Sequence, residues 1–371
     1  MQPTVLQILP SLDYGGVERG TVEIANELVR RKHKSIVMSA NGRLVPELTA
    51  SGTEHIDLPV GEKSIISIRL IPKIYQFLEE RQVDIVHVRS RMPAWLTHFA
   101  LKKIHQKKRP ILVSTVHGPY SVNPYSKIMM SGSRIIAISE YIKKYILNNY
   151  PDINENKIEV IPRGVNNKEY HFDYKPENVW IKNWYEEFPH LQNKFLITLP
   201  ARLTRWKGQN DFIEIITKLN AMGINVHGLI VGGIDKRKKR YFHELKSLIK
   251  KNNIEDHITF TNHRDDIKDI LSISNIVLSL AKIPEAFGRT ALEALSLGVP
   301  VVAYDHGGAK EVLEDLFPEG KTEPLNTKKA VSLIKKFYES MPEVKNKNIY
   351  TLDNMLDKTI PFIIHFIYKS L

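Results

Sequence analysis

The sequence predicts an α/β protein made of two doubly wound parallel sheets, and three observations carry that prediction. Short β-branched runs alternate with helical patterns from one end to the other, which is the signature of βαβ units. The chain has 371 residues, more than a single core usually organises. Near its middle the alternation stops in a polar stretch with Pro162, Gly164 and Pro176, and then begins again.

In the first half the strand candidates are "TVLQILP", "KSIVMSA", "DIVHV", "ILVSTVH", "RIIAIS" and "IEVIP", each followed by a turn or a helix. The stretch "IPRGVNNKEYHFDYKPENV" reads as the linker. After it come "FLITLPAR", "VHGLIVGG", "HITFTNH", "NIVLSL" and "VPVVAYD". The expected organisation is therefore a first Rossmann-like domain at 1–165, a second at 166–348 and a terminal segment at 349–371. That last segment, "TLDNMLDKTIPFIIHFIYKSL", reads as an amphipathic helix interrupted at Pro361 that packs on a domain surface. Ligands of doubly wound sheets sit outside the carboxyl ends of the strands, so a two-domain pair is expected to bind in the cleft between its domains.

Composition narrows the function classes. A hydrophobic content of 42% and a charged content of 25% are those of a globular protein. There is no cysteine, which excludes a disulfide scaffold and a thiolate metal site. The start lacks a basic region followed by a long apolar one, and no run of about 18 uncharged apolar residues occurs. A cytoplasmic protein that does not span a membrane is the expectation. The net charge of +12 is unevenly spread: residues 85–139 hold nine Lys or Arg, and no Asp or Glu. Such a segment invites an anionic partner, whether a phosphorylated substrate, an acidic lipid surface or nucleic acid. No aromatic RNA-binding pattern, zinc spacing or helix-turn-helix signal accompanies the charge, which argues against nucleic acid.

Several strand-end residues are candidates for chemistry. Gly15 and Gly16 follow the first strand and open a helix, where bare backbone and exposed N–H groups favour a phosphate. The next strand ends without an acidic residue to hold a ribose, so this is no dinucleotide fingerprint. "LPARLTRWKGQ" carries Arg202, Arg205 and Lys207 in a strand-to-helix loop, cations suited to a pyrophosphate, with Arg202 and Lys207 favoured. His117 and His87 come at strand ends, where an imidazole can meet a ligand. In "KIPEAFGRTALEALSLG", Glu285 stands in a loop, Gly288 permits an unusual turn, and Glu293 falls in the helix that Gly298 ends. A hydrolytic pair, a metal site, two solvated charges and a pair of hydroxyl-binding carboxylates are the readings this interval allows. No Asp-x-Asp or His-Glu-x-x-His stretch supports a metal, and carboxylates from one loop-helix unit more easily line one side of a ligand than flank a scissile bond.

The spacing from Glu285 to Glu293 resembles the E-x7-E motif of retaining glycosyltransferases of family 4, which have the GT-B fold. The resemblance extends over nearly the whole chain, through "GGVERGTVEIANEL", "DIVHVRSRMPAWL", "STVHG", "VIPRGVN", "ARLTRWKGQ", "LIVGG" and "PEAFGRTALEALSLGVPVVAYDHGGAKEV". It is most like that of bacterial enzymes acting on lipopolysaccharide core or related envelope glycolipids. Two departures are visible: Asn166 where relatives commonly carry Asp, and a shortened, altered glycine-rich loop after "GGAKEV".

The resemblance implies a nucleotide-sugar donor, with no cofactor and no metal. Glu293 would hold the ribose hydroxyls, and Glu285 a hydroxyl of the sugar with the backbone of Phe287 and Gly288. Arg202 and Lys207 would hold the diphosphate, joined by Gly15 and Gly16. His117 would contact the donor sugar, and Gly232 and Gly233 would pass near the base. The terminal helix would cross back to the first domain. The acceptor would be a lipid-linked or anionic saccharide, with a peripheral contact to the inner membrane and "GPYSVNPYSKIMMSGS" as an acceptor loop. An epimerase of the same fold is the alternative; a phosphorylase would need a pyridoxal-binding lysine context that the sequence lacks.

Overall fold

The structure is a computed structural model that describes residues 2–13, 15–233 and 239–365. It divides into two compact units, one formed by Met1–Pro162 with the terminal segment from Asp353, the other by Arg163–Leu352. Each is a parallel sheet wrapped by helices.

The first unit contains seven strands: β1 (Thr4–Ser11), β2 (Lys34–Ala40), β3 (Glu54–Asp57), β4 (Ile85–Val88), β5 (Ile111–Val116), β6 (Arg134–Ala137) and β7 (Ile158–Val160). Their order is β3-β2-β1-β4-β5-β6-β7, and every pairing is parallel. Central strands are apolar on both faces because helices cover both, as Val5, Leu6, Ile8 and Leu9 of β1 show by full burial. The helix Gly16–Arg30 lays Val22, Ala25 and Leu28 inward, and Leu9, Leu12, Val37 and Leu48 complete a core cluster around the first two of these.

The second unit has six: β8 (Phe195–Pro200), β9 (Val226–Val231), β10 (Ile258–Asn262), β11 (Ile276–Ser279), β12 (Val301–Tyr304) and β13 (Lys321–Thr322). Their order, β10-β9-β8-β11-β12-β13, repeats the winding of the first unit. In both sheets the winding reverses beside the first strand, between β1 and β4 and between β8 and β11, which is where such sheets bind ligands.

Two strands escape the sequence pattern. Edge strand β3 is "EHID", half polar and four residues long, and β13 is a two-residue edge strand. Neither has the apolar run that betrays a central strand, because an edge needs less of it. The expected linker is also less of a linker than its composition suggests. Its residues from Arg163 onward belong to the second unit, where Phe172 packs beside Gly298 and the Tyr174 hydroxyl donates to Asp269. The helix Asn178–Glu187 then buries Trp184 with Leu191, Leu196, Leu229, Val231 and Ile270.

At the unit boundaries two chain segments run side by side. Val165 N donates to Tyr350 O at 3.0 Å, and Leu352 N donates to Val165 O at 2.8 Å. A Cβ at Gly164 would lie 2.2 Å from the Thr351 carbonyl oxygen, so glycine is dictated there by backbone proximity. The terminal helix, Leu352–Ile364, corrects one expectation: it is not interrupted at Pro361 but runs through it. Met355, Leu356, Thr359, Ile360, Ile363 and Ile364 form a continuous buried stripe on both sides of the proline, and this packing holds the helix together. Within the first unit Arg31 pairs with Asp357, and the Arg134 guanidinium lies 4.6 Å from the Phe362 ring centroid.

Two predictions follow from this packing. Gly164→Ala is expected to destabilise the protein by about 1–3 kcal/mol in denaturant titration, through overpacking. Gly16→Ala, where a Cβ would meet nothing within 4 Å, serves as its comparison and is expected to change stability by about 0.5 kcal/mol or less. The second concerns His227 of β9, buried and bonded through Nε2 to Thr259 Oγ1 at 2.9 Å. Burial, reinforced by nearby His190, pulls its pKa down to about 4. The folded state thus holds a neutral imidazole where the unfolded chain binds a proton, and stability falls as pH drops from about 6.5 towards 4. Urea titrations across that window should show a shallower pH slope in His227→Gln.

Candidate functional site

The loops after β8 and β11, at the reversal of the second sheet, carry most of the residues expected to act. After β8 the chain makes a short turn, Arg205–Lys207, and Gly208 adopts φ +81° to enter the helix Gln209–Ala221. A Cβ on Gly208 would lie 2.1 Å from the Leu280 carbonyl oxygen, so the loop after β8 and the loop after β11 touch through backbone. A hydrogen bond from Lys282 N to Trp206 O, 2.7 Å, joins the same two loops.

This contact sets Lys207 against Glu285. The Lys207 ammonium donates to Glu285 Oε1, and Ser279 Oγ, at the end of β11, reaches Glu285 Oε2 at 3.5 Å. Both charged side chains are largely buried, with 22% and 16% of their surface exposed, and they line a small pocket with Leu199, Leu278, Ala281 and Thr290. The Lys207 ammonium also lies 4.4 Å from the Trp206 ring centroid. A partly desolvated ion pair that can exchange one partner for a ligand's phosphate or hydroxyl is what this geometry offers chemically.

The carboxylate is held from behind as well. Gly308 N donates to Glu285 O at 2.8 Å, His306 Nε2 donates to Ala281 O at 2.7 Å, and a Cβ at Gly307 or Gly308 would collide with the backbone of Glu285 or Phe287. The "HGG" of the sequence is therefore a brace for the Glu285 loop, a role the sequence reading did not assign. Its signal was present: two adjacent glycines opening a helix, Gly307–Leu316, at a strand end.

A second brace lies beneath. Lys282 Nζ is 2.6 Å from Asp211 Oδ1, and the Tyr304 hydroxyl donates to Asp211 Oδ2 at 2.7 Å. Burial and this hydrogen bond push the Tyr304 phenol far above its ordinary pKa, so it stays a donor.

The remaining predicted residues fall as follows. Glu293 is in the middle of the helix Arg289–Ser296, receiving a hydrogen bond from Arg289 Nε at 2.8 Å. Gly288 caps that helix at φ +85° against Ala309, and Phe287 is buried edge-on to Tyr350, 5.6 Å between centroids. Arg202 is exposed on the loop after β8, while Arg205 turns away to Glu244 at 2.5 Å. Gly232 and Gly233 follow β9 and pack on the loop after β8: a Cβ at Gly232 would be 2.1 Å from Ala201 O.

In the first unit Gly15 is extended and precedes the helix Gly16–Arg30; a Cβ at Gly15 would meet only the flexible Glu18 side chain. His117 lies just past β5, its backbone N–H donating to Tyr120 Oη at 3.4 Å. His87 is structural. It lies inside β4, fully buried, with Nε2 2.7 Å from Thr115 Oγ1, and is part of the sheet core. Its neighbour Arg89, not singled out from sequence, is buried at the β1/β4 reversal and donates to Gln7 Oε1 at 3.1 Å. Among the described residues no group of three or more His, Cys, Asp or Glu is arranged to hold a metal ion, and no helix is long and apolar enough to cross a membrane.

The chain is similar in sequence and fold to known glycosyltransferases. Residues 14–169 match the Glycosyltransferase Family 4 model and residues 181–350 the Glycosyl transferases group 1 model. A glycosyltransferase from Rickettsia africae ESF-5 is 30% identical, covers 99% of both chains and superposes with a TM-score of 0.86. Anabaena Alr3699/HepE, solved in complex with UDP and glucose, is 20% identical over 100% of both chains, with a TM-score of 0.80, a likeness of fold. Among curated relatives, the spore coat protein SA of Bacillus subtilis is 23% identical over 315 residues, 81% of this chain and 79% of its own.

Asp211→Ala leaves the Tyr304 hydroxyl and the Lys282 ammonium without their shared acceptor. Lys282 is partly exposed and recovers some hydration, so the expected loss of stability is about 1–3 kcal/mol, and less for Asp211→Asn, which keeps an oxygen for Tyr304. Chemical denaturation of the two variants checks both values.

Proposed function

The chain belongs to glycosyltransferase family 4, and we propose that it moves a sugar from a nucleotide-sugar donor to an envelope glycolipid or polysaccharide, with retention of configuration and without a metal ion. Lipopolysaccharide core is the narrower acceptor we propose. The observation that carries this reading is the Lys207–Glu285 pair at the β8/β11 reversal, one cation and one carboxylate poised where a doubly wound sheet binds its ligand. The Anabaena protein of the same fold, whose complexes hold UDP and glucose or UDP-glucose, supports the donor class.

In this proposal Lys207 and Arg202 meet the donor diphosphate, Glu285 takes a sugar hydroxyl beside the backbone of Phe287 and Gly288, and Glu293 takes the ribose hydroxyls. Gly15 and Gly16 offer bare backbone to the phosphates. At Gly16 the fold itself does not demand glycine, since a Cβ would meet nothing nearby, and the approach of a ligand supplies a reason for it. His117 contacts the donor sugar, and Gly232 and Gly233 pass the base.

The bond from the sugar's anomeric carbon to the β-phosphate oxygen breaks with its electron pair going to that oxygen. The acceptor hydroxyl attacks on the same face, and its proton passes to the departing phosphate. Lys207 and Arg202 stabilise the charge that grows there, which is the work a metal ion would otherwise do. The acid-free basic segment 85–139 suits an anionic acceptor and a peripheral contact with an acidic leaflet.

Calorimetric titration with UDP-, GDP- and ADP-sugars is the test. One donor is expected to bind, and Glu293→Ala is expected to abolish that binding. With a turnover assay in hand, Lys207→Ala should lower kcat by about 10²–10³-fold, EDTA should leave the rate unchanged, and the product should keep the donor's anomeric configuration by NMR. A strict divalent-cation requirement or an inverted product would overturn the corresponding part of the mechanism. An isomerised nucleotide-sugar in place of a transfer product would replace it with an epimerase.

A further inference from the structure

We infer that Arg91 of the first unit is the centre of an anion subsite, and that the acceptor carries a phosphate or carboxylate group which this guanidinium binds. The inference rests on the proposed transfer reaction for the identity of the ligand as acceptor, and on the geometry of the first unit for the site itself.

Arg91 opens the helix Arg91–Lys103 just beyond β4, at the carboxyl end of the sheet and beside its reversal. Its guanidinium carbon lies 4.9 Å from the ring centroid of Tyr120 and 5.4 Å from that of Tyr125. One Nη1–H donates to Ser126 Oγ at 3.1 Å, and Ser126 is fully buried. Two tyrosine rings and a buried hydroxyl thus fix the side chain in one place. A guanidinium has five N–H donors, and this one gives one of them to Ser126.

What Arg91 lacks is as telling. Among the described residues no carboxylate lies within ion-pair distance of it, and the whole segment 85–139 contains no Asp or Glu. Elsewhere several arginines are paired with acids: Arg264 with Asp266 and Glu187, Arg19 with Glu47, Arg289 with Glu293. An arginine immobilised by aromatic faces, with its planar fork unneutralised, is arranged for a bidentate anion from outside the chain. Lys63, 6.0 Å from the Tyr125 ring centroid, adds a second positive charge.

The subsite is connected to the residues of the reaction. The Tyr120 hydroxyl that accepts from His117 N belongs to the ring that Arg91 covers, and the Tyr145 hydroxyl fixes the Tyr120 carbonyl. An anionic group on Arg91 would be one aromatic ring away from His117. An anion of this kind can come from a water-soluble sugar phosphate or from a lipid headgroup, and the chemistry of the site is the same for both.

The experiment measures binding of glycerol 1-phosphate by calorimetry, and of phosphatidylcholine vesicles with and without phosphatidylglycerol by flotation. Each is run with and without UDP, which occupies the diphosphate-binding loop should the donor reading hold. The wild-type protein is expected to bind one or both anions with UDP present. Arg91→Gln is expected to lose about tenfold or more of that affinity, and Arg91→Lys to lose less, because it keeps the charge but not the fork. Binding of UDP itself should be the same in all three proteins, which also certifies that the variants are folded.

Binding of glycerol 1-phosphate alone assigns a soluble acceptor, and binding of vesicles alone assigns a lipid-linked one; either supports the subsite. Equal anion affinity in the wild type and both variants, or no anion binding in either arm, would overturn it. Failure of UDP to bind the wild type would count against the donor reading instead and leave the anion comparison intact.

Discussion

Everything at the candidate site depends on the close approach of two loops at the ends of β8 and β11. Gly208 can bring its loop onto the Leu280 carbonyl only because it has no Cβ and because φ +81° costs a glycine little. Lys282 N then reaches Trp206 O, and the ammonium of Lys207 comes within hydrogen-bond range of Glu285. The ion pair is a consequence of backbone geometry set at Gly208, the residue after Lys207. The braces from His306, Gly307 and Gly308 on one side, and from Asp211 and Tyr304 on the other, keep that geometry from relaxing. Rigidity of this kind is what electrostatic catalysis requires, since charges already in place need no reorganisation when the leaving group ionises.

The pairing of Lys207 with Glu285 solves a folding problem as well. A lysine and a glutamate, each more than three-quarters buried, would be costly alone, and together they offset much of each other's desolvation. In the proposed reaction the donor's phosphate would take the place of the carboxylate on Lys207, and its hydroxyl that of the ammonium on Glu285. On that reading the polar groups of the pair would be satisfied with and without the ligand.

How much of this was legible in the sequence depends on whether a residue acts through local or long-range geometry. The doubly wound sheets could be read because central parallel strands are continuous apolar runs, Lys207 was singled out because it stands in the loop between such a run and a helix, and Glu285 because of its spacing to Glu293. Edge strands β3 and β13 were missed for the same reason, since their burial is partial and their composition polar. A histidine near a strand end looks the same in sequence whether it faces a ligand or, as His87 does, Thr115; only the register of β4 against β5 separates the two. Pro361 misled because helix breaking is a local rule, and the buried stripe of the terminal helix is a tertiary force that outweighs it. The Asp211–Lys282–Tyr304 brace spans 93 positions between Asp211 and Tyr304, and no spacing rule connects them.

The two units repeat one topology yet charge their reversal points differently, and the difference bears on what each can bind. At β8/β11 the second unit places a cation and an anion together, a self-neutralised arrangement suited to a ligand that brings both phosphate and hydroxyl groups. Beside β1/β4 the first unit places Arg91 in a stretch of sequence without acids, where hydroxyl and aromatic groups contact its guanidinium. Neutral dipoles and ring quadrupoles hold a guanidinium in position without cancelling its charge, so the field of the segment survives burial. A sheet end built in that way keeps its attraction for a negative group, whereas one built on an ion pair keeps its selectivity for a ligand that matches both partners. The duplication of the fold therefore does not imply duplication of the site: the side chains at the two reversal points differ, an ion pair in one unit and a guanidinium in an acid-free stretch in the other.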